Sequence, residues 1–222
     1  MSGYALLVAG GDHLTGAGLD ELLAEADCVV AVDSGADVIV ERGMSPDLVV
    51  GDMDSIDPGV LSSLDEAGVR LVRHPSHKDE SDLVLALQLC REEGYAEVVV
   101  TGVVGGRVDH TLAAVGALAR FADLRPFVRW DGGCGWVLSP NHRDEISLAG
   151  LGSTVSIFAL GSNATVSAQG LRWALDSEVL HALDSRGLSN VVASEGATIR
   201  VHSGTVMVIT AAVGAHGPAV GG

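Results

Sequence analysis

Only three cysteines occur in 222 residues. Cys28, Cys90 and Cys134 are too few and too scattered for a disulfide framework, and no CxxC pair is present to begin a structural zinc site. Cys28 and Cys90 fall inside apolar patterns, as small core residues do. Aromatic side chains make up 4% of the chain, so a core has to be assembled from Val, Leu, Ala and Ile. Basic residues are short as well: 13 Lys and Arg face 29 Asp and Glu, for a formal net charge of −16. Such a surface repels phosphate backbones, which argues against general nucleic-acid binding and against anionic membranes. It leaves room for a single nucleotide, because a divalent cation can bridge carboxylates and phosphates. No apolar run approaches transmembrane length. The start, Met1 to Ala9, has a strand-length apolar run and no basic residue before it, so it does not read as a signal peptide and a cytoplasmic protein is expected. Neither GxxxxGK[ST] nor GxGxxG occurs, which removes support from P-loop and standard dinucleotide folds. There is no internal repeat.

Hydrophobic residues, by contrast, are plentiful at 47%, with a mean hydropathy of +0.35, enough for a real core. They are arranged differently in the two halves. In the first, short aliphatic runs (5–9, 28–32, 48–50, 69–72 and 97–101) alternate with segments of helical spacing (19–26, 36–42, 58–67 and 82–93). Leu83, Leu87 and Cys90 form one i, i+4, i+7 stripe, and Gly68 and Gly94 stand where helix C-caps belong. A further helix is expected around 111–121. This alternation predicts an α/β domain, a mostly parallel, doubly wound sheet, over residues 1–133. In the second half, runs at 135–138, 154–159, 165–168, 190–193, 197–202 and 205–210 are separated by turn residues, which predicts a smaller antiparallel β-sandwich over 134–214. Ser203-Gly204 reads as a hairpin turn between the last two runs, and 215–222 as a tail.

Acidic residues collect where the strands of the first half end. Asp33 directly follows the run 28–32, and Gly51-Asp52-Met53-Asp54-Ser55 follows 48–50. In an open parallel sheet, ligands bind beyond the carboxyl ends of the strands, and a tight loop can aim Asp52 and Asp54 at one cation. Lys78-Asp79-Glu80-Ser81-Asp82 opens the fourth helix. There Asp79 or Ser81 can cap the helix, and Asp82, the innermost acid, is the metal-ligand candidate. Carboxylates gathered in this way are costly to fold unless something positive binds them. Mg²⁺ carrying nucleotide phosphates fits, since it takes oxygen ligands and few carboxylates. The metal candidates are therefore Asp33, Asp52, Asp54 and Asp82. A fourth stretch, Gly105-Gly106-Arg107-Val108-Asp109-His110, follows the run 97–101. Its paired glycines let backbone N–H groups approach phosphate oxygens, and Arg107 can pair with them. His110 reads equally as a base or as part of the helix start.

These stretches, in this order and spacing, resemble thiamine pyrophosphokinases, with Pro46-Asp47-Leu48-Val49-Val50-Gly51-Asp52-Met53-Asp54-Ser55 the most specific element and weaker agreement at Gly170-Leu171-Arg172-Trp173 and Leu188-Ser189-Asn190. The resemblance implies an α/β catalytic domain followed by a β-sandwich, a homodimer with active sites at the subunit interface, and transfer of the diphosphate of ATP to the hydroxyl of thiamine. It places Asp33, Asp52, Asp54 and Asp82 as the Mg²⁺–ATP acids, with catalytic work assigned to Asp52, Asp54, Asp82 and Arg107. Gly35, Gly105, Gly106, Arg107 and Asp109 fall on the nucleotide side, and Trp173, Ser189 and Asn190 on the thiamine side. Departures from the family pattern lie at Ala113 and Ala114, where Asn is frequent, at Trp173-Ala174 in place of Trp-Pro, and at Val191 in place of Glu. These departures leave open a diphosphokinase for another ring-bearing alcohol, such as a pterin or thiamine analogue; a separate reading, of another class, is a non-catalytic nucleotide-sensing module that keeps the acidic crevice. Trp173 itself reads either as a stacking surface for a cationic ring or as sandwich core.

Overall fold

A computed structural model describes residues 3–12, 14–76 and 79–211; Lys78 and the 215–222 tail lie outside them. The chain forms two compact units. One holds the residues up to Ala117 together with Arg129–Asp131, the other Leu118–Val128 and the residues from Gly132 onward.

In the first unit, strands β1 (Ala5–Val8), β2 (Cys28–Val32), β3 (Leu48–Gly51), β4 (Arg70–Arg73) and β5 (Val98–Thr101) alternate with helices α1 (Gly18–Glu25), α2 (Gly35–Glu41), α3 (Pro58–Glu66), α4 (Asp82–Glu92) and α5 (Val108–Arg120), which runs on into the second unit. All four pairings within the sheet are parallel, in the order β5-β1-β2-β3-β4. Every residue of β1, β2, β3 and β5 is buried. That requires cover on both faces, and it explains why these strands read as unbroken aliphatic runs. Strand β4, at the edge, buries none of its four residues and carries an Arg at each end. Asp57 caps α3 by accepting from the N–H groups of Gly59 and Val60, with Pro58 in the first turn. Ser81, rather than Asp79, caps α4 by accepting from Val84 N–H. Gly68 and Gly94 take the left-handed conformation after α3 and α4, at φ +77° and +87°.

The strand order places a switch point between β5 and β1. The chain moves outward from β1 through β4 and then returns to the other side of β1. The loops after β1 and β5 therefore diverge, and a crevice opens at the carboxyl ends of the strands.

The second unit contains β7 (Gly133–Leu138), β8 (Glu145–Leu148), β9 (Thr154–Ala159), β10 (Ala164–Gln169), β11 (Leu175–Leu180), β12 (Asn190–Val191), β13 (Ala197–Ser203) and β14 (Val206–Ala211); β6 (Phe127–Trp130) precedes them. Antiparallel pairing gives one sheet in the order β12-β9-β14-β7 and another in the order β11-β10-β13-β8. Alternate residues are buried along β10 and the first half of β13, as in a sandwich. Phe127 and Trp136 add a ring pair with centroids 5.2 Å apart. The hairpin expected at Ser203-Gly204 does not form. Strand β13 belongs to one sheet and β14 to the other, so Gly204, at φ +77°, carries the chain across from sheet to sheet. Cys28 and Cys90 are buried free thiols. Among the described residues, no helix is long and apolar enough to cross a membrane.

Candidate active site

Strand β2 is followed directly by Asp33, whose φ of +50° is a left-handed conformation that Asp tolerates better than most residues. Its N–H donates to Val50 O at 2.9 Å, which ties the end of β2 to β3. The Ser55 hydroxyl donates to Asp33 Oδ2, while Oδ1 is buried and has no hydrogen-bond partner. An orphan carboxylate oxygen of this kind marks either a strain reservoir or a missing cation. The loop after β3 turns sharply at Met53, a buried side chain with φ +66°. This turn brings Asp52 and Asp54 to the same side, where Asp54 N–H donates to Asp52 Oδ1 at 3.3 Å. Carboxylate oxygens of Asp33, Asp52 and Asp54 all lie within 4.8 Å of one another.

The crowding appears in their protonation. Burial pushes the Asp33 carboxyl above its usual range, and the charges of Asp82 and Asp52 push in the same direction against the Ser55 hydrogen bond. Asp54 is raised by sharing a hydrogen bond with Asp52 and by that neighbour's charge, with smaller contributions from Asp33 and Asp82. Asp82, in the first turn of α4, is thus the fourth member of the group. Three convergent carboxylates, a fourth close enough to be felt, and a buried oxygen without a donor form a hard, all-oxygen site that fits Mg²⁺.

Asp33 and Asp82 line a cleft of about 630 Å³ at the switch point of the first unit. Its other walls are the loop after β1, at Gly10, Gly11 and Asp12, and the loop after β5, at Gly105, Gly106 and Arg107. Gly105 and Gly106 have φ of +98° and +58°. A side chain at Gly105 would run into the Asp12 carboxylate, 2.0 Å from the position of its Cβ. Gly35 serves packing instead: a Cβ there would lie 1.8 Å from Val8 O, so glycine lets α2 sit directly on β1.

Arg107 lines the cleft and forms a two-pronged pair with Asp109, at 3.2 and 2.6 Å. The guanidinium holds Asp109 at a pKa of about 2, and Asp109 in turn raises Arg107. Asp109 therefore acts on the guanidinium, and it is His110, with Ala113 and Ala114, that faces the cleft from α5.

In the second unit, Asn190 is 6% exposed and its side chain makes three hydrogen bonds. It accepts from Trp173 N–H at 3.1 Å and from Val191 N–H at 2.9 Å, and it donates to Trp173 O at 2.7 Å. Ser189, at φ +59°, donates its N–H to Ser156 Oγ. Asn190 thus holds the Trp173 backbone while the residue stays 54% exposed, with the Arg172 guanidinium 5.7 Å from the ring centre. The reading of Trp173 as sandwich core is thereby corrected; Trp136 is the buried tryptophan.

The loop at Gly10, Gly11 and Asp12 is absent from the residues singled out in the sequence. Its signal was the same as at β2 and β3, Gly and Asp directly after an aliphatic run.

Residues 19–128 match the thiamin pyrophosphokinase catalytic domain and residues 141–206 the thiamin pyrophosphokinase vitamin B1 binding domain. Thiamine pyrophosphokinase 1 of Oryza sativa subsp. japonica is 29% identical over 180 residues, covering 77% of this chain and 67% of its own. The Bacillus subtilis (strain 168) enzyme is 30% identical over 109 residues, 49% of this chain and 51% of its own. Two solved structures share the fold: the Bacillus subtilis thiamine pyrophosphokinase, with a TM-score of 0.78 at 20% identity over 94% of this chain and 98% of that one, and the Candida albicans thiamin pyrophosphokinase, with 0.74 at 18% identity over 94% and 90%. With both domains of one family matched in order along the sequence, the chain belongs to the thiamin pyrophosphokinase family.

Proposed function

We propose that this protein transfers the diphosphate of ATP to the hydroxyl of thiamine, producing thiamine diphosphate and AMP. The observation that carries the assignment of the site is the meeting of Asp33, Asp52 and Asp54 within 4.8 Å beside the switch-point cleft, with Asp33 Oδ1 left without a donor. Asp33, Asp52 and Asp54 would hold Mg²⁺, and Asp82 would contribute its charge from the start of α4. The ion, when bound, neutralises charge on the transferred diphosphate and on the AMP leaving group.

The protein's own groups align the reactants. Ser55 fixes one oxygen of Asp33 and leaves the other without a hydrogen-bond partner. The left-handed glycines 105 and 106 let backbone N–H groups approach the phosphates. Arg107 adds a fixed positive charge, its fork steadied by Asp109. Trp173, held by Asn190 and exposed, offers a flat face to a cationic ring such as thiazolium. In this reading the α/β domain handles Mg²⁺–ATP, the sandwich handles thiamine, and the protein is a cytoplasmic homodimer whose active sites are completed at the subunit interface.

Incubation with ATP, Mg²⁺ and thiamine, followed by mass detection, is expected to yield thiamine diphosphate and AMP in equal amounts. AMP release with a different acceptor and none with thiamine would reassign the acceptor. ATP binding with no AMP release under any acceptor would make the protein a nucleotide sensor. The shared site is tested by mixing inactive Asp52→Asn subunits with Trp173→Ala subunits. A wild-type KM for thiamine should return as mixed dimers form, each with one intact site, and a KM that stays at the Trp173→Ala value would place both residues' work within a single subunit.

A further inference from the structure

The loop between β1 and α1 is held more firmly than a simple connection needs. From α2, Arg42 donates to Leu14 O, Gly16 O and the Asp20 carboxylate at 3.1, 3.2 and 2.8 Å. Asp131 accepts from Thr15 N–H at 2.9 Å, and Gly11 N–H donates to Gly102 O at 2.8 Å. The anchored loop presents Asp12, an acid with no part in the Asp33, Asp52 and Asp54 group, to the same cleft. The β5 loop comes close to it: a Cβ at position 105 would lie 2.0 Å from the Asp12 carboxylate, and the φ of +98° there favours glycine.

Position decides what Asp12 can bind. The metal-binding carboxylates follow β2 and β3, whereas Asp12 and Gly105 follow β1 and β5. In the order β5-β1-β2-β3 Asp12 follows the strand next to that of Asp33 and two away from that of Asp52 and Asp54, a span of roughly 5 to 10 Å. An anion at that distance from the metal site repels phosphate and attracts neutral hydrogen-bond donors. A nucleotide whose phosphates lie at the metal carries such donors, the ribose hydroxyls, at about that reach. The hydroxyl of the acceptor reacts at phosphorus, beside the metal and away from Asp12.

We infer that Asp12 recognises the ribose of the nucleotide, its carboxylate accepting from the 2′- and 3′-hydroxyls and thereby selecting ribonucleotides over deoxynucleotides. The inference rests on the ATP-dependent reading above and deepens it.

The test compares ATP with 2′,3′-dideoxy-ATP, in wild type and Asp12→Ala, by calorimetric binding with Mg²⁺ and by KM in AMP release. Wild type should prefer ATP by about ten- to a hundredfold, the range for hydrogen bonds to a charged group. Asp12→Ala should bind both nucleotides alike, with the loss falling on KM for ATP, and Asp12→Asn should recover part of the preference. Equal binding by wild type overturns the inference, as does a preference that survives in Asp12→Ala. A fall in kcat with discrimination intact also overturns it and moves Asp12 to the acceptor. Failure of wild type to release AMP counts against the kinase reading alone, since the calorimetric comparison still decides the role of Asp12.

Discussion

The two units of this protein treat polar groups in opposite ways. In the α/β unit, carboxylates are crowded together, raised in pKa by one another and by burial, and one buried oxygen has no donor. In the sandwich, Asn190 is more deeply buried yet makes three good hydrogen bonds. Unsatisfied charge costs stability and persists where a ligand completes it, whereas a satisfied amide holds the fold in place. The family motifs at the two places look equally polar in sequence, but the first leaves a buried carboxylate oxygen without a donor while the second is tied up in hydrogen bonds.

The sharpest way to break this contrast is Asp52→Asn. If the acids exist to hold a cation, turnover should fall on the order of a thousandfold, the scale of a lost metal contribution to transition-state charge. Melting temperature without Mg²⁺ should stay level or rise, because a like charge has been removed from the cluster. Stabilisation by Mg²⁺–ATP should vanish in the same variant. An active, Mg²⁺-responsive Asp52→Asn protein would sink the assignment.

Asn190→Ala should show the reverse pattern. It leaves two N–H groups and a carbonyl without partners, so a loss of about 2–3 kcal/mol in unfolding free energy is expected from denaturant titration. Activity should decline in step with the folded fraction and with the position of Trp173. A variant as stable as wild type but inactive would move Asn190 from scaffold to substrate contact.

How much of this was legible in the sequence depended on burial. Strands β1, β2, β3 and β5 were visible because each is aliphatic throughout, the consequence of cover on both faces. Strands β8 and β11 were missed because most of their residues are outside the core, as in the Asp-Ser-Glu stretch at 176–178, so alternation was drowned by surface chemistry. Strand β6 was missed at Phe127–Trp130, a four-residue run too short to announce itself. The turn at Ser203-Gly204 was visible, but no local signal says that the strands on either side belong to different sheets. Likewise Asp33, Asp52, Asp54 and Asp82 could be named, while Asp12 acquires meaning only once β5 is known to pair with β1.

Trp173→Ala sharpens the comparison from the sandwich side. With more than half of the side chain exposed, its removal should change stability by less than about 1 kcal/mol. If the ring stacks on the acceptor, KM for thiamine should rise by roughly tenfold, a stacking and cation–π contribution of ordinary size, with KM for ATP unchanged. A large loss of stability with an unaltered KM would return Trp173 to a structural role.

The smallest expected effect belongs to Arg107 and Asp109, a pair that is exposed and yet well formed. Asp109 is depressed to about 2 by the Arg107 hydrogen bonds, so the folded state binds its proton less readily than the unfolded chain. The contribution to stability is complete above the ordinary carboxylate range near 4 and is lost as pH falls from there through 2. Because both groups are open to solvent, salt should screen it further. Carboxyl NMR titration should find Asp109 near 2 in wild type and close to 4 in Arg107→Ala, with thermal stability at neutral pH almost unchanged. Turnover in that variant should fall well beyond the change in stability, because the same guanidinium faces the cleft; an Asp109 titration near 4 in wild type would show that the fork is not formed in solution, and the positive wall assigned to Arg107 would lose its support.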